Sequence, residues 1–225
     1  MSCRLSALFR GLRAVPLVGF CWLGLACLLP SPATAADSTA PRILVLGDSL
    51  SAGYGIEVSQ GWVALLQQRL RQAGYGHVVV NASVSGETTT GALARLPRAL
   101  QRQRPSVVIV ELGGNDGLRA LPPADLQRNL LEITRQAQQA GAKVLLLGMR
   151  LPPNYGGPYT QRFAAAYPTV AKQAKVRLVP FFLAGVAERS DWFQADGIHP
   201  VAAAQPRLLE NVWTELRPLL GKPAR

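Results

Sequence analysis

The sequence predicts a three-layer α/β domain in which a parallel β-sheet lies between two layers of helices. Five short apolar runs rich in β-branched residues alternate with amphipathic stretches along the chain. Runs of this kind indicate strands that are buried on both faces, and their alternation with helices indicates right-handed crossovers. The chain has 225 residues, which is enough for one such domain.

The apolar patterns place the individual elements in order. Strands are predicted at residues 42–47, 77–82, 106–112, 143–149 and 176–181. Three helices are predicted from apolar residues at helical spacing, namely Trp62, Leu65, Leu66 and Leu70, then Leu126, Leu130, Ile133 and Ala137, and finally Leu208, Leu209, Val212 and Leu216. Gly74 and Gly141 follow the first two helices, as is typical of glycine just beyond a helix C-terminus.

Residues 1–36 have the pattern of a secretory signal peptide, which leaves residues 37–225 as the mature domain. Three arginines precede an apolar stretch, and an A-x-A site then predicts cleavage after Ala35 or Ala36. A membrane anchor fits less well, because proline and glycine interrupt a stretch shorter than the ~20 residues that span a bilayer. A lipoprotein signal that ends at Cys27 is the other alternative. We therefore expect a periplasmic or secreted protein.

Cysteine and histidine are too scarce in the mature domain for thiol or metal chemistry. Cys3, Cys21 and Cys27 all lie in the predicted signal, so we expect neither a disulfide nor a catalytic thiolate. The two histidines, His77 and His199, are too few for a zinc cluster. We expect no metal and no other cofactor.

The mature domain carries an excess of positive charge. Three of the 24 basic residues lie in the signal, so 21 basic and 13 acidic side chains remain, a formal charge of +8. One segment holds Arg95, Arg98, Arg102 and Arg104 without neighbouring aromatic residues or a known module, so we expect no nucleic-acid partner. A solvated basic face is one interpretation, and weak attraction to an anionic membrane surface or to phosphorylated substrates is the other. We expect a monomer.

Polar residues follow four of the five predicted strands. Ser49 follows the first strand, Gly86 the second, Asn115 the third, and Asp196 and His199 the fifth. Ligands of such sheets bind beyond the carboxyl ends of the strands, so these residues should share one edge of the sheet.

Three of these side chains are the types found in a catalytic triad. A serine hydroxyl is a weak nucleophile unless a histidine that is oriented by a carboxylate accepts its proton. His77 stands at the start of the second strand and should lie at the opposite edge, which leaves His199 as the base for Ser49. Asp196 stands three residues before His199 and can bond its imidazole. The alternative for Ser49 taken alone is a helix N-cap.

Ester cleavage also needs fixed donors for the oxyanion that forms in the transition state. The backbone N–H groups of Ser49 and Gly86 and the side-chain amide of Asn115 could supply them. Alternatively, Gly86 only makes a turn and Asn115 only caps a helix.

Other reaction classes lack their motifs. Ser51 stands where the G-x-S-x-G elbow of α/β-hydrolases needs glycine, and Walker and Rossmann patterns are missing. Glu111 and Asp116 could form a glycosidase pair, but their positions within a strand and beside Asn115 favour structural roles.

Four segments in order resemble the blocks of the SGNH, or GDSL, hydrolases: GDSLS, SVSGETT, GGND and DGIHP. The resemblance extends from residue 42 to residue 219 and implies a flavodoxin-like sheet of five parallel strands. The segments VELGGNDGLR and RLPPNYG are similar to a bacterial periplasmic group of multifunctional acyl-CoA thioesterases, arylesterases and lysophospholipases.

The resemblance implies a role for each polar residue named above. Ser49 would be the nucleophile, Asp196 and His199 would complete the triad, and Gly86 and Asn115 would be oxyanion donors.

The sequence therefore predicts a serine hydrolase of acyl esters, acyl thioesters and lysophospholipids that works through an acyl-enzyme. Residues 149–159 after the fourth strand form a segment rich in proline and glycine, in which Leu151, Pro152 and Tyr155 are predicted to flank an apolar groove for the acyl chain. An ordinary surface loop is the alternative for this segment. The alternative functions are a carbohydrate acetyl-esterase with the same triad and a secreted binding protein without turnover.

Overall fold

A five-stranded parallel sheet forms the centre of the computed structural model, which describes residues 40–223. The strands are β1 (Arg42–Gly47), β2 (Val78–Asn81), β3 (Val107–Glu111), β4 (Lys143–Leu147) and β5 (Arg177–Val179). Each lies within one of the five predicted runs, so the predicted α/β architecture is confirmed.

The order of the strands across the sheet is β2-β1-β3-β4-β5. The central strands β1 and β3 are almost wholly buried, whereas β2 is an edge strand whose first and last residues are exposed. The chain moves outward from β1 in both directions, so the carboxyl ends of β1 and β3 lie at the point where the strand order reverses. Ligands of doubly wound sheets bind at such a point.

Helices cover both faces of the sheet. They are α1 (Ser49–Ala52), α2 (Trp62–Gln72), α3 (Thr89–Gln103), α4 (Gly114–Leu118), α5 (Pro123–Gln139), α6 (Gly157–Ala174) and α7 (Gln205–Leu216). Helix α2 packs against α7, and α5 packs against both α3 and α6, which gives the two helical layers. The three predicted helices correspond to α2, α5 and α7, and most of the apolar side chains that predicted them are buried.

Glycine ends two of these helices in the predicted way. Gly74 and Gly141 have φ of +76° and +84°. The residue after each glycine donates its N–H to a carbonyl in the last turn, from Tyr75 to Leu70 over 2.9 Å and from Ala142 to Ala137 over 3.0 Å. These bonds satisfy carbonyl groups that the helix ends would otherwise leave free.

The predicted signal segment, with Cys27 and both candidate cleavage sites, lies outside the described residues. Within residues 40–223, no helix combines the length and apolar character needed to cross a bilayer. No group of three side chains able to hold a metal ion occurs in that same range.

Candidate active site

Ser49 is the first residue of α1, directly after the turn that ends β1. The N-cap of this helix is Asp48, whose Oδ1 accepts a hydrogen bond from the Leu50 N–H at 3.0 Å. The N-cap is therefore Asp48 and not Ser49, and the Ser49 hydroxyl can contact another side chain.

That contact is made with His199. The Ser49 Oγ lies 2.9 Å from His199 Nε2, and His199 Nδ1 lies 2.6 Å from Asp196 Oδ2. The Asp196 Oδ1 also accepts the backbone N–H groups of Ile198 and His199, at 2.9 and 3.0 Å. The hydrogen bond from the His199 ring, followed by the two backbone bonds, lowers the pKa of Asp196 to about 2. Asp196 therefore stays ionised and keeps the proton of the neutral imidazole on Nδ1, which leaves Nε2 to accept the Ser49 proton.

Two further residues, which the sequence did not indicate, hold the His199 loop against α1. The Tyr54 ring lies 4.5 Å from the His199 ring between centroids. The Gln194 side chain donates to the Tyr54 carbonyl at 2.8 Å, and the Gln194 N–H donates to the His199 carbonyl at 2.8 Å. The contact between Gln194 and Tyr54 spans 140 residues, so no local sequence pattern indicates it. The aromatic side chain five positions after Ser49 is the one feature of the sequence that could have indicated a role for Tyr54.

The predicted oxyanion donors follow β1, β2 and β3, with Ser49 on α1, Gly86 on a loop and Asn115 on α4. Gly86 adopts φ of +78°, and its carbonyl accepts a hydrogen bond from the Arg119 Nη2 at 3.0 Å, which ties the loop after β2 to α4. The N–H groups of Ser49 and Gly86 donate to no residue that the structure describes. Asn115 Nδ2 donates one hydrogen to Asp48 Oδ2 at 3.2 Å, so its second hydrogen remains available.

Two buried carboxyl groups lie directly beneath this site. The Glu111 Oε2 accepts hydrogen bonds from Ser51 Oγ at 2.7 Å and from the Asp48 N–H at 3.3 Å. Burial raises the pKa of Asp48 to about 6 and raises the pKa of Glu111 well above its ordinary value. At neutral pH Asp48 is therefore mainly ionised and presents a carboxylate oxygen to Asn115. No pattern in the sequence indicates the contact between Asp48 and Asn115.

Asp116 joins α4 to α3. It accepts hydrogen bonds from the Thr89 N–H at 2.9 Å and from Thr89 Oγ1 at 2.5 Å. Glu111 and Asp116 are thus both engaged in buried hydrogen bonds within the fold, which is incompatible with a glycosidase pair.

Residues 149–159, which are predicted to bind the acyl chain, do not form a single irregular loop. A 3₁₀ turn spans Pro153–Tyr155, and α6 already begins at Gly157. The Leu151 side chain packs against α4, because a Cβ on Gly117 would lie only 2.5 Å from Leu151 Cδ2. Pro152 is exposed and Tyr155 is partly exposed. Of the three residues, Leu151 therefore packs most closely on the helix that carries Asn115.

Two clefts lie on the β2 side of the molecule. One of about 170 Å³ is lined by residues of α1, α2 and β2, including Ser51, Val63 and Val79. The other, of about 390 Å³, lies between β2 and α3 and is lined by Arg95, Arg98 and Arg102. Neither cleft includes Leu151, Pro152 or Tyr155, so the predicted acyl groove does not coincide with either of them.

Comparison with known proteins gives a consistent result. A family model described as the GDSL-like lipase/acylhydrolase family matches residues 45–205. The esterase TesA of Pseudomonas aeruginosa is 58% identical over 184 residues, which are 82% of this chain and 92% of that protein. Thioesterase 1/protease 1/lysophospholipase L1 of Escherichia coli K12 is 45% identical over 194 residues, or 86% of this chain and 90% of that protein. A crystal structure of TesA superimposes with a TM-score of 0.78 and 59% identity, covering 80% of this chain and 99% of its own.

Proposed function

Because this chain belongs to the GDSL-like lipase/acylhydrolase family, we propose that it hydrolyses acyl esters and thioesters through an acyl-enzyme on Ser49. The observation that carries the proposal is the continuous hydrogen-bonded series from Ser49 Oγ through the His199 ring to Asp196. A secreted binding protein without turnover would have no need for this series.

In the proposed acylation step, Ser49 Oγ attacks the acyl carbonyl carbon and gives its proton to His199 Nε2. The tetrahedral intermediate then collapses, the bond from carbon to the leaving oxygen or sulfur breaks, and His199 returns the proton to the leaving group. In deacylation a water molecule takes the place of the serine hydroxyl, with His199 again as base. Asp196 remains ionised throughout and stabilises the imidazolium.

The proposed oxyanion hole combines the N–H groups of Ser49 and Gly86 with the side-chain amide of Asn115. Each donor is held in the fold before substrate binds: Gly86 bonds with Arg119, Asn115 bonds with Asp48, and Ser49 is the first residue of α1. Fixed donors stabilise developing negative charge without reorganising during the reaction.

For substrates we propose small-molecule acyl esters with an apolar chain, including aryl esters, acyl thioesters and lysophospholipids. The relatives named above carry the words esterase, thioesterase and lysophospholipase. Leu151 beside α4, with Pro152 and Tyr155 on the adjoining turn, is proposed to contact the acyl chain. The enzyme is proposed to act as a monomer in the periplasm or outside the cell, after removal of residues 1–36.

A turnover experiment tests the proposed chemistry. Mixing the mature enzyme with a p-nitrophenyl ester should give a burst of about one p-nitrophenol per active site and then steady turnover. Ser49→Ala should abolish both, whereas Ser85→Ala, at an exposed serine next to Gly86, should retain both. Steady turnover by the Ser49→Ala variant would contradict the proposal.

A chain-length series tests the proposed substrate class. With each added methylene, kcat/KM should rise by a factor that corresponds to up to ~0.8 kcal/mol, until the groove is filled. Leu151→Ala should flatten this rise, and Leu131→Ala, at a similarly half-buried leucine of α5, should not. Turnover of acetylated sugars far faster than any longer acyl ester would replace this proposal with a carbohydrate acetyl-esterase.

A further inference from the structure

Large apolar side chains that are exposed to solvent concentrate around the mouth of the active site. Within residues 40–223, seven such side chains are between 37% and 68% exposed. Six lie on loops or short helices at the carboxyl edge of the sheet, and we call them the apolar rim: Tyr54, Val58, Val84, Leu118, Leu121 and Ile198. The seventh, Val78, begins β2 at the opposite edge. Scattered exposed apolar residues are ordinary, but their confinement to one edge is typical of an interaction surface.

The apolar rim flanks the catalytic residues on more than one side. The Tyr54 ring contacts the His199 ring at a tilt, and Ile198 directly precedes His199. Val84 stands two residues before Gly86, and Leu118 stands three residues after Asn115. A surface that covers the rim would therefore also cover Ser49.

Residues 118–122, with the sequence LRALP, form a continuous exposed segment at this edge. All five are exposed, and none is acidic. The turn is held by hydrogen bonds from Ala120 N–H to Gly117 and from Leu121 N–H to Asp116, both at 2.9 Å. Two leucines beside one arginine fit a lipid interface, where apolar side chains enter the acyl region and arginine stays among the headgroups.

The charge of the mature domain favours a lipid surface that is anionic. The formal charge is +8, and Arg119, within the exposed segment 118–122, forms no ion pair with any described residue. Basic residues near an anionic membrane strengthen the binding of a surface that already has exposed apolar side chains.

We propose that the apolar rim docks the enzyme on an anionic phospholipid surface, with the mouth of the active site facing the lipid. An ester or thioester that is itself embedded in that surface then reaches Ser49 without first dissolving in water. This inference rests on the proposed function for the identity of the substrate, while the docking itself requires no turnover.

Sedimentation with vesicles of phosphatidylcholine and phosphatidylglycerol tests the docking step. The mature Ser49→Ala variant should co-sediment, so binding is measured apart from catalysis. Adding Leu118→Ser and Leu121→Ser should weaken the partition by about tenfold or more, since two apolar contacts are removed. Val78→Ser, at the equally exposed valine of the opposite edge, should leave partition unchanged.

Activity on two forms of substrate separates docking from chemistry. In the enzyme with Ser49 intact, the two leucine substitutions should leave kcat/KM for a soluble short-chain ester unchanged and should lower hydrolysis of lysophospholipid held in the vesicles. Absence of soluble ester hydrolysis in the wild type would defeat the proposed function alone. The docking proposal is overturned if vesicles fail to bind the protein, if Val78→Ser weakens binding as much as the leucine pair, or if high salt abolishes binding completely.

Discussion

At the scale of single residues, Asp48 contacts both helix α1 and Asn115, which is one of the proposed oxyanion donors. One carboxylate oxygen caps the helix through Leu50, and the other accepts the amide of Asn115. In Asp48→Asn the side-chain oxygen can still cap the helix, but its amide then faces the amide of Asn115. Two donors cannot bond each other, so Asn115 should turn its carbonyl toward position 48 and remove its N–H from the hole.

We expect Asp48→Asn to lower kcat by about 10²-fold with little change in KM, which is the effect of losing one oxyanion donor. Asn115→Ala should give a similar loss, and the double variant should be no worse than Asn115→Ala, since both remove one interaction. Steady-state kinetics and thermal melts of the three variants provide the measurement. If Asp48 had a purely structural role, the kcat of Asp48→Asn would be unchanged, or the loss of kcat in the double variant would equal the product of the two single losses.

The raised pKa of Asp48 also predicts a pH dependence of stability. Burial raises this pKa from 3.8 to about 6, so the folded state holds the proton more tightly than the unfolded state. The contribution of Asp48 is therefore most favourable below 3.8 and declines as pH rises through about 6. Asp48→Asn lacks this titration, so the melting temperature of the wild type minus that of the variant should fall between about pH 4.5 and about pH 7.5. A constant difference across this range would contradict the assignment.

At the scale of elements, the sequence predicted all five strands and three of the long helices, but did not identify α3 or α6. Both of these helices contain an internal proline, Pro97 and Pro168, on an exposed face. Proline normally ends or kinks a helix, so the sequences of α3 and α6 do not indicate helices. Both helices form because their apolar faces pack against the rest of the fold. The sequence also does not indicate where α6 begins, because proline and glycine around residue 157 are typical of a loop.

The turn between β3 and α4 sets the position of Asn115 and depends on Gly113. This residue has φ of +109°, and a Cβ there would lie 2.1 Å from the hydroxyl oxygen of Tyr167. That hydroxyl is buried and donates to the Leu112 carbonyl at 2.9 Å, so it cannot withdraw without losing a hydrogen bond.

Gly113→Ala should therefore lower the free energy of unfolding by roughly 3 kcal/mol or more, which combines backbone strain with a steric clash. The matched control is Gly141→Ala, with φ of +84° and no atom within 4 Å of the added Cβ, where strain alone should cost about 1 kcal/mol. Urea unfolding measures both. If both variants lost the same free energy of unfolding, the clash with Tyr167 would not be the reason that position 113 requires glycine.

At the scale of the whole molecule, the fold brings together residues that are far apart in the chain. Ser49 and His199 are 150 residues apart, yet the topology of a parallel sheet places the segments after β1 and β5 at one edge. The polar residues at that edge could be predicted because strand order and strand direction follow from simple patterns. The bonds of Gln194 and the buried pair of Asp48 and Glu111 could not, since they depend on side-chain packing between segments without a shared pattern.

The core of the described domain draws its residues from position 43 to position 220. A chain that begins at residue 37 should therefore keep every contact described above. We expect this shortened chain to have the same melting temperature and esterase activity as the protein that is produced from the full-length sequence and exported by the cell. A large loss of stability on removing residues 1–36 would contradict the assignment of that segment as a signal.

The central claim is that Ser49 is the nucleophile, and active-site labelling with a fluorophosphonate tests it most directly. Mass spectrometry of the digested enzyme should find the label on Ser49 alone, at about one per chain, and should find none on Ser49→Ala or on enzyme pre-incubated with excess ester. His199→Ala should slow the labelling strongly, because the base that activates the hydroxyl has been removed. Label on Ser51 or Ser85, or full labelling of the Ser49→Ala variant, would contradict the account.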